Sequence, residues 1–400
     1  MPLTLSRSSL ATLLLASGVL LRLLLLARSS SRSRQRIIAP AAERVIVLGA
    51  SSGTGAAIAR EYAVRGCGAL VLVARRREQL EAIRAECLAL TSGKGKSKSK
   101  DKTPNIICAA ADCTKDTDVA NLRKLVVEQL GGIDTVHITL GVSALLPLLG
   151  IAGVDPVRPS PSSGDSSPTS PQATTTAKKA PTHASSFALS STYTAVSRAC
   201  TANVTSTALL LTAFAPVLQL SSKAPSIHIL SSLAALFPAP TRALYGATKA
   251  AQLILAQGFE LETQSQAGYE GELVAGSADT GTSQRRAKIT FVYLCPGTIL
   301  SDFRRSAVDL PGSSASQEPS QDQEEALRRA GVFDSTWDNS GGRKKSDGLL
   351  PETVARRAIG LIDRQHGGVH TMKLFELFGR IALVVAPWIP ARVAHKKYGY

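Results

Sequence analysis

The chain has 400 residues, of which 44% are hydrophobic, and its formal net charge is +16. A charge of this size suggests a nucleic-acid-binding protein, but seven arginines fall in residues 1–44 and five lysines in residues 91–104, outside any predicted core. No aromatic residue is interspersed with either group, so neither offers a surface on which bases could stack. We therefore expect no specific nucleic-acid partner.

The six cysteines and six histidines show no spacing typical of a disulfide framework or a metal site. Four of the cysteines lie in apolar strand or helix contexts, which indicates reduced, buried thiols in a cytosol-facing protein. The sequence therefore predicts neither a disulfide-rich secreted fold nor a bound metal.

An apolar run at residues 10–27 (LATLLLASGVLLRLLLLA) is close to the ~20 residues that a membrane-spanning helix needs. Four arginines follow it, against Arg7 alone before it, and this asymmetry predicts that the folded body is cytosolic; the four are Arg28, Arg32, Arg34 and Arg36. A mitochondrial presequence is the alternative, since the first 42 residues lack acids and are rich in Ser and Arg.

Apolar strand-like runs then alternate with amphipathic segments along the chain. The predicted strands are Arg44–Leu48, Ala69–Ala74, Asn105–Ala110, Asp134–Thr139, Ser226–Leu230 and Ile289–Leu294. The predicted helices are 53–65, Arg76–Leu90, Asp118–Leu130, about Ser191–Leu220 and about Ala243–Glu262. Continuous apolar strands that alternate with helices predict an α/β protein with one doubly wound, parallel, Rossmann-type sheet.

Polar segments interrupt this body at about 91–104, 154–186, 264–286 and 311–347, and we expect them to be disordered insertions. The domain prediction is therefore a membrane anchor and basic linker at 1–43, a catalytic domain at 44–373, and an apolar helix with a basic tail at 374–400. We interpret that last helix as interfacial. The alternatives are a helix that closes the core and a homodimer interface.

Three glycines, Gly49, Gly53 and Gly55, lie between the first strand and its helix. Glycine there permits a tight turn and lets backbone N–H groups approach a pyrophosphate at the helix N-terminus. Arg75 ends the second strand, where an NAD site would have a carboxylate. A guanidinium suits a 2′-phosphate instead, so the sequence favours NADP.

Tyr245 and Lys249 are one helical turn apart, and Ser232 follows an earlier strand. Residues at i and i+4 share a helix face. An ammonium beside a phenol favours the phenolate, so we expect Lys249 to make the Tyr245 proton transferable near neutral pH.

Together these motifs resemble the short-chain dehydrogenase/reductase family, in the membrane-anchored form of endoplasmic-reticulum hydroxysteroid dehydrogenases and 3-ketosphinganine reductases. The resemblance covers about residues 44–310. Two segments depart from the family pattern: Ile138-Thr139-Leu140-Gly141 keeps only its last glycine, and Ser301 replaces a threonine. The matching segments are GASSGTG (49–55), Asp112-Cys113, Asn203, Ser231-Ser232, YGATK (245–249) and CPGTILS (295–301).

The resemblance implies a role for each matching residue. Tyr245 would be the general acid/base, Ser232 would hold the substrate carbonyl, Lys249 would bond the nicotinamide ribose, and Asn203 would anchor a proton-relay water. Asn203 also begins the glycosylation sequon Asn203-Val204-Thr205. The implied cofactor-binding residues are Gly49, Ser51, Ser52, Gly53, Thr54, Gly55, Arg75, Asp112, Cys113, Gly141, Tyr245, Lys249, Pro296, Gly297 and Thr298.

The sequence therefore predicts an NADPH-dependent enzyme that reduces a ketone or aldehyde on a lipophilic small molecule such as a sphingoid base, steroid, retinoid or fatty carbonyl. The expected location is the endoplasmic-reticulum membrane. The alternative function is a non-catalytic NADP-binding scaffold or redox sensor, which the altered 138–141 segment favours.

Overall fold

The computed structural model describes residues 34–92, 104–155, 183–273, 284–304, 307–309 and 348–373, and, nearer the C-terminus, residues 376, 379, 382–383, 386 and 388–398. The predicted anchor at 10–27 lies outside the described residues, as do the central parts of the four predicted insertions.

Seven parallel strands form one sheet in the order β3-β2-β1-β4-β5-β8-β9, and two short strands, β6 and β7, form a separate antiparallel pair. This confirms the predicted α/β fold. The strands are β1 (Arg44–Leu48), β2 (Ala69–Ala74), β3 (Asn105–Ala110), β4 (Thr135–Ile138), β5 (Ser226–Leu230), β6 (Glu270–Gly271), β7 (Gln284–Arg285), β8 (Thr290–Cys295) and β9 (Gly368–Thr371).

Helices cover both faces of the sheet, which is why its central strands are apolar along their whole length. One face packs against α1, α2 and α8, and the other against α3, α6 and α7. The helices are α1 (Gly53–Arg65), α2 (Arg77–Ser92), α3 (Asp116–Leu130), α4 (Leu148–Ile151), α5 (Ser186–Cys200), α6 (Ser206–Ser221), α7 (Ala243–Ser265), α8 (Pro351–Asp363) and α9 (Trp388–Tyr398).

The long helix predicted around residues 191–220 is interrupted. A π-helical turn, Thr201–Thr205, joins α5 to α6. The combined stretch Ser186–Ser221 is the one helix among the described residues that is long and apolar enough to cross a membrane, but 56% of its apolar window is buried inside the protein. Core helices commonly have this composition, so it is weak evidence for a membrane span.

The folded body starts at least as early as Arg34, before the predicted boundary at residue 44. The Arg34 side chain is 1% exposed and its guanidinium is ion-paired with Glu43. It also donates hydrogen bonds to the Ala224 and Asp134 carbonyls, at 2.8 and 3.0 Å. Arg34, which follows the predicted anchor in the sequence, is therefore part of the folded body.

A network of buried polar side chains lies between the sheet and α1. Nδ1 of His137 in β4 lies 3.1 Å from Nδ1 of His228 in β5, and Nε2 of His137 lies 3.1 Å from the Tyr62 hydroxyl. Both histidines are 0% exposed. Burial lowers the pKa of His137 well below its ordinary value and lowers that of His228 to about 3, so both rings are neutral near pH 7.

Candidate active site

The glycine turn after β1 forms a cradle at the N-terminus of α1. Gly49 and Gly53 have φ angles of +96° and +53°, which side chains disfavour. A Cβ on Gly55 would lie 2.0 Å from the Gly49 carbonyl oxygen. Ser52, at the N-cap, makes no side-chain capping bond to the described chain. The first N–H groups of α1, which begins Gly53-Thr54-Gly55, therefore point to where an anion would bind.

The altered segment after β4 still supports this cradle. The Thr139 hydroxyl donates a hydrogen bond to the Leu48 carbonyl at 2.8 Å, and the Thr139 N–H donates to the same oxygen at 2.9 Å. A Cβ on Gly49 would lie 2.9 Å from the Thr139 hydroxyl. The departure from the family pattern therefore keeps a side chain packed against the turn.

Arg75, Asp112 and Cys113 meet at the ends of the neighbouring strands β2 and β3. Partial burial raises the pKa of Asp112, but two hydrogen bonds from Thr114 and the Arg75 and Lys115 charges bring it below its ordinary value. Arg75 therefore lies close enough to Asp112 to affect its ionisation. Burial raises the pKa of the Cys113 thiol to about 12, which leaves it protonated and unreactive.

Ser232 lies close enough to Tyr245 to lower the pKa of its phenol. The Ser232 oxygen also accepts the Ala234 N–H at 3.2 Å, which holds it in a short 3-10 turn after β5. The ring of Tyr245 packs edge-on against Phe303, with the ring centroids 6.1 Å apart. Two adjacent hydroxyls in an apolar setting suit a carbonyl oxygen, because both can donate to it.

Lys249 is 3% exposed and has only neutral hydrogen-bond partners among the described residues. Its ammonium donates to the Leu230 carbonyl at 3.1 Å and to Oε1 of Gln252 at 3.0 Å. Burial lowers the pKa of Lys249 to about 8.

Burial raises the pKa of Tyr245, and Ser232, Arg242 and Arg304 counteract this increase. The Lys249 ammonium is directed to the end of β5 and to Gln252. Its effect on the phenol stays a prediction.

Asn203 sits in the π-helical turn and is 0% exposed. Its Oδ1 accepts the Val142 N–H at 2.8 Å, and its Nδ2 donates to the Val142 carbonyl and the Thr248 hydroxyl at 3.1 and 3.0 Å. Both amide hydrogens are therefore used to join the segment after β4 to α7. A buried side chain in this position does not fit a glycosylation acceptor, and its role as a water anchor stays a prediction.

The structure adds three residues that sequence reasoning missed. Gln252 bonds Lys249 and also donates to the Thr207 hydroxyl at 2.7 Å, while the Thr207 hydroxyl donates to the Asn203 carbonyl. The Thr248 hydroxyl donates to the Tyr245 carbonyl at 2.9 Å. Gln252 lies three residues beyond Lys249 on one helix face, which is a signal that could have identified it.

The last predicted cofactor residues border the same space. A Cβ on Gly141 would lie 2.9 Å from Oδ1 of Asn203 and 3.3 Å from Nζ of Lys249, so only glycine fits. The Pro296 carbonyl accepts the Leu233 N–H at 2.9 Å, and a Cβ on Gly297 would lie 3.6 Å from the Leu233 side chain. The Thr298 carbonyl accepts the Leu349 N–H.

These residues fit a nicotinamide dinucleotide. The cradle at α1 suits its pyrophosphate, Asp112 and Arg75 lie where its adenosine end would be held, and Lys249 with the 296–298 segment borders the catalytic pair. The glycines at which a Cβ would clash support this fit, because they let the turn after β1 pack tightly against the start of α1 and against the segment after β4.

The chain resembles known proteins in sequence over one segment. Residues 43–152 match the family model described as short chain dehydrogenase. Dehydrogenase/reductase SDR family protein 7-like from Dictyostelium discoideum is 33% identical over 109 residues, which are 27% of this chain and 32% of that protein. Farnesol dehydrogenase from Aedes aegypti is 31% identical over 105 residues, or 26% and 38% of the two chains. The match thus spans about a third of each relative.

Solved structures resemble the chain over most of its length. A short chain dehydrogenase/reductase from Burkholderia phymatum in complex with NAD has a TM-score of 0.57 at 17% identity, covering 88% of this chain and 95% of that one. An alcohol dehydrogenase from the archaeon Thermococcus sibiricus, complexed with 5-hydroxy-NADP, has a TM-score of 0.51 at 18% identity, covering 83% and 95%. At these identities the likeness concerns the fold. By sequence, the resemblance to the short chain dehydrogenase family is limited to residues 43–152.

Proposed function

We propose that the chain is an NADPH-dependent carbonyl reductase that acts on a lipophilic ketone or aldehyde. The observation that carries this proposal is the placement of Ser232 beside Tyr245, with buried Lys249 one helical turn further on. A transferable phenolic proton beside a second hydroxyl is what reduction of a carbonyl requires.

In the proposed reaction, Ser232 and Tyr245 both donate hydrogen bonds to the substrate carbonyl oxygen. A bound reduced nicotinamide would supply the hydride that adds to the carbonyl carbon. The carbonyl oxygen gains negative charge as the hydride adds, and it takes the Tyr245 proton to become an alcohol. The Tyr245 oxygen, left negative, must regain a proton before the next turnover. Asn203, Gln252 and Thr248 hold the segments that carry these groups.

Two features support the choice of NADPH and of an apolar substrate. Arg75 lies at the end of β2, close enough to Asp112 to affect its charge. The ring of Tyr245 packs against Phe303 and against an apolar cluster that includes Ala144 and Leu244. A phosphate would find a guanidinium at one end of the site, and a lipophilic carbonyl would find hydrocarbon at the other.

We also propose that residues 10–27 anchor the protein in the endoplasmic-reticulum membrane with the body in the cytosol, as in the membrane-anchored hydroxysteroid dehydrogenases and 3-ketosphinganine reductases that the sequence resembles. The C-terminal helix α9 exposes Trp388, Ile389 and Val393, which suits an interfacial helix. Deletion of residues 1–30 keeps Arg34 and should release the protein from membranes only in part. Full solubility of this truncated form, without binding to vesicles, would assign α9 to the body or to a homodimer interface.

The test of the proposed reaction is an assay of the purified full-length chain with NADPH and a panel of lipid ketones and aldehydes. We expect NADPH oxidation with at least one of them. Tight NADPH binding without turnover on any carbonyl would contradict the reductase and favour a non-catalytic scaffold or redox sensor.

A further inference from the structure

An irregular segment that follows β4, residues 143–146, is buried beside the candidate active site. It has neither helical nor strand structure, and each of its four residues is at most 6% exposed. Buried backbone N–H and C=O groups outside helices and strands must find partners elsewhere, because leaving them unpaired is costly. The hydrogen-bond partners of this segment therefore show what holds it in place.

Asp309 is the partner of two consecutive N–H groups in this segment. Its side chain is 7% exposed, and its Oδ2 accepts the N–H groups of Leu145 and Leu146, both at 2.7 Å. A carboxylate oxygen accepts such bonds roughly twice as strongly as a neutral group does. The other oxygen, Oδ1, is buried and has no hydrogen-bond partner in the described part of the chain. One oxygen of Asp309 thus joins residues that follow β8 to residues that follow β4.

Two further hydrogen bonds hold residues 143–146. The Val308 N–H donates to the Ser143 carbonyl at 3.0 Å, and Nη1 of Arg242 donates to the Ala144 carbonyl at 3.1 Å. Residues 308–309 therefore make three hydrogen bonds to the segment, and two of the three depend on the Asp309 carboxylate.

The two joined segments both contact the surroundings of Tyr245. Ala144 and Val308 are buried members of one apolar cluster, and Tyr245 packs against that cluster. Phe303, which also follows β8, contacts the Tyr245 ring edge-on. A lipophilic carbonyl compound held by the Tyr245 hydroxyl would therefore lie next to hydrocarbon from both segments.

The residues that follow β8 are also held on the other side of Phe303 in the sequence. Ile299 forms a β-bridge with Leu349, and the Leu300 N–H donates to the Leu349 carbonyl at 2.9 Å. Phe303 thus lies between two attachments along the chain, the bridge at Leu349 and the carboxylate of Asp309. Loss of the Asp309 attachment would leave the first one intact.

We propose that Asp309 is a positioning residue for the substrate: through the Leu145 and Leu146 N–H groups it holds residues 143–146 and 307–309 together as one apolar wall beside Tyr245. The inference deepens the proposed function and rests on it. Asp309 acts through the backbone of its neighbours and takes no part in hydride or proton transfer. Its loss should therefore weaken substrate binding more than it slows the reaction of bound substrate.

The first experiment needs no turnover. Hydrogen exchange of the full-length chain with NADPH is followed by mass spectrometry in peptides that contain residues 143–146. Asp309→Ala leaves the Leu145 and Leu146 N–H groups without their acceptor, so their exchange should become at least roughly tenfold faster. Asp309→Asn keeps an acceptor oxygen and should retain most of the protection. Asp116→Ala removes an exposed carboxylate that also accepts a backbone N–H, at 2.8 Å, and is the matched control.

The second experiment measures steady-state kinetics with NADPH and the lipid ketone or aldehyde that the parent chain reduces fastest. In Asp309→Ala the substrate KM should rise roughly tenfold or more, while kcat changes by less than about threefold and the Kd of NADPH stays the same. Asp309→Asn should have a KM near that of the parent chain. A purely structural role would not produce this separation of KM from kcat, nor its rescue by asparagine.

Unchanged exchange in folded Asp309→Ala, or a fall in kcat with an unchanged KM, would overturn the proposal. An Asp309→Asn variant that behaves like Asp309→Ala would do the same. If Asp309→Ala does not fold, Asp309→Glu decides, because one added methylene displaces the carboxylate; parental exchange and KM in this variant would contradict the role of Asp309. A parent chain that reduces no carbonyl would contradict the proposed reductase, and hydrogen exchange would still decide whether Asp309 holds residues 143–146.

Discussion

Arg34 and Lys249 are buried cations at opposite ends of the strands, and they differ in the charge of their hydrogen-bond partners. Arg34, at the N-terminal ends, is ion-paired with Glu43 and bonded to two backbone carbonyls. Lys249, at the C-terminal ends, has a carbonyl and a neutral amide as partners. A buried charge with an oppositely charged partner commonly serves the structure of the fold. A buried charge without one is typical of a functional site.

The neighbours of these two cations follow the same division. At the N-terminal ends, Arg44 pairs with Asp134 at 3.0 Å and Arg65 pairs with Asp363 at 2.7 Å. At the C-terminal ends, Tyr245 lies beside Ser232, and Asn203 bonds to backbone groups and to Thr248. The N-terminal ends are thus held by charge pairs, whereas at the C-terminal ends the hydrogen-bond partners of Lys249 are neutral.

Removal of the compensated cation should have the largest effect on folding. In Arg34→Met the Glu43 carboxylate stays buried and keeps Arg65 as its remaining cation, at 3.4 Å. Breaking a buried pair in this way lowers the free energy of unfolding by about 3–5 kcal/mol. Chemical denaturation of the purified chain measures this change in the free energy of unfolding. Arg36→Met, an exposed neighbour in the same turn, should change it by less than ~0.5 kcal/mol. An equal decrease in the free energy of unfolding in Arg34→Met and Arg36→Met would contradict the contrast between the two strand ends.

At the other end, Tyr245→Phe should reduce turnover by at least ~100-fold, because the ring stays and the transferable proton is lost. NADPH binding and stability should change little. Steady-state kinetics with a confirmed substrate measures this, and Tyr269→Phe, at a tyrosine that is 70% exposed, is the control. Near-normal turnover of Tyr245→Phe would contradict the mechanism.

Arg75→Asp should shift cofactor preference towards NADH. One charge-assisted contact to a 2′-phosphate is worth ~1.5–3 kcal/mol, and the new carboxylate adds repulsion. The ratio of kcat/KM for NADPH and NADH measures the shift. Arg77→Asp, at the first residue of α2, should leave the ratio of kcat/KM nearly unchanged. An unaltered ratio in Arg75→Asp would mean that the phosphate is bound elsewhere.

Lys249→Met should abolish cofactor-dependent turnover without destabilising the fold. Burial lowers the pKa of Lys249 to about 8, whereas an unfolded lysine titrates near ~10.4. The unfolded chain therefore holds this proton more tightly than the folded chain. The loss of folding stability caused by burying the charged ammonium is complete below pH 8 and disappears as the pH rises towards ~10.4. Stability at pH 7 should be unchanged or higher by up to ~3 kcal/mol.

The decisive measurement for Lys249→Met is the difference in unfolding free energy between variant and parent from pH 7 to 10. This difference should decrease as the pH rises above 8. The exposed lysine variant Lys223→Met should show no such trend. A constant difference for Lys249→Met would mean that the ammonium has a charged partner after all.

Much of the fold could be predicted because it depends on local patterns. The apolar run Arg44–Leu48 and the glycines after it predict β1 and the start of α1, and Tyr245 and Lys249 share a helix face through spacing alone. Their joint placement beside Ser232 follows from parallel strands that end at one edge of the sheet.

The remainder depends on contacts between distant parts of the chain. The Arg34 guanidinium meets Ala224, 190 residues away, and Asp309 meets Leu145, 164 residues away; no spacing rule relates such pairs. The π-helical turn at Asn203 inserts one residue into a helical repeat, which apolar periodicity does not reveal. Helix α8 did leave a signal, since Pro351 begins a stretch with apolar residues at helical intervals.

The neutral pair His137 and His228 limits the acidity that the fold tolerates. Both rings gain protons readily only when the chain unfolds, because the pKa of His228 is about 3 and that of His137 is well below its ordinary value in the folded state. As the pH falls below ~6.5, the unfolded chain takes up two protons that the folded chain refuses, so stability falls by about 2.7 kcal/mol for each pH unit. This pair therefore makes the fold less stable in acid than near neutral pH.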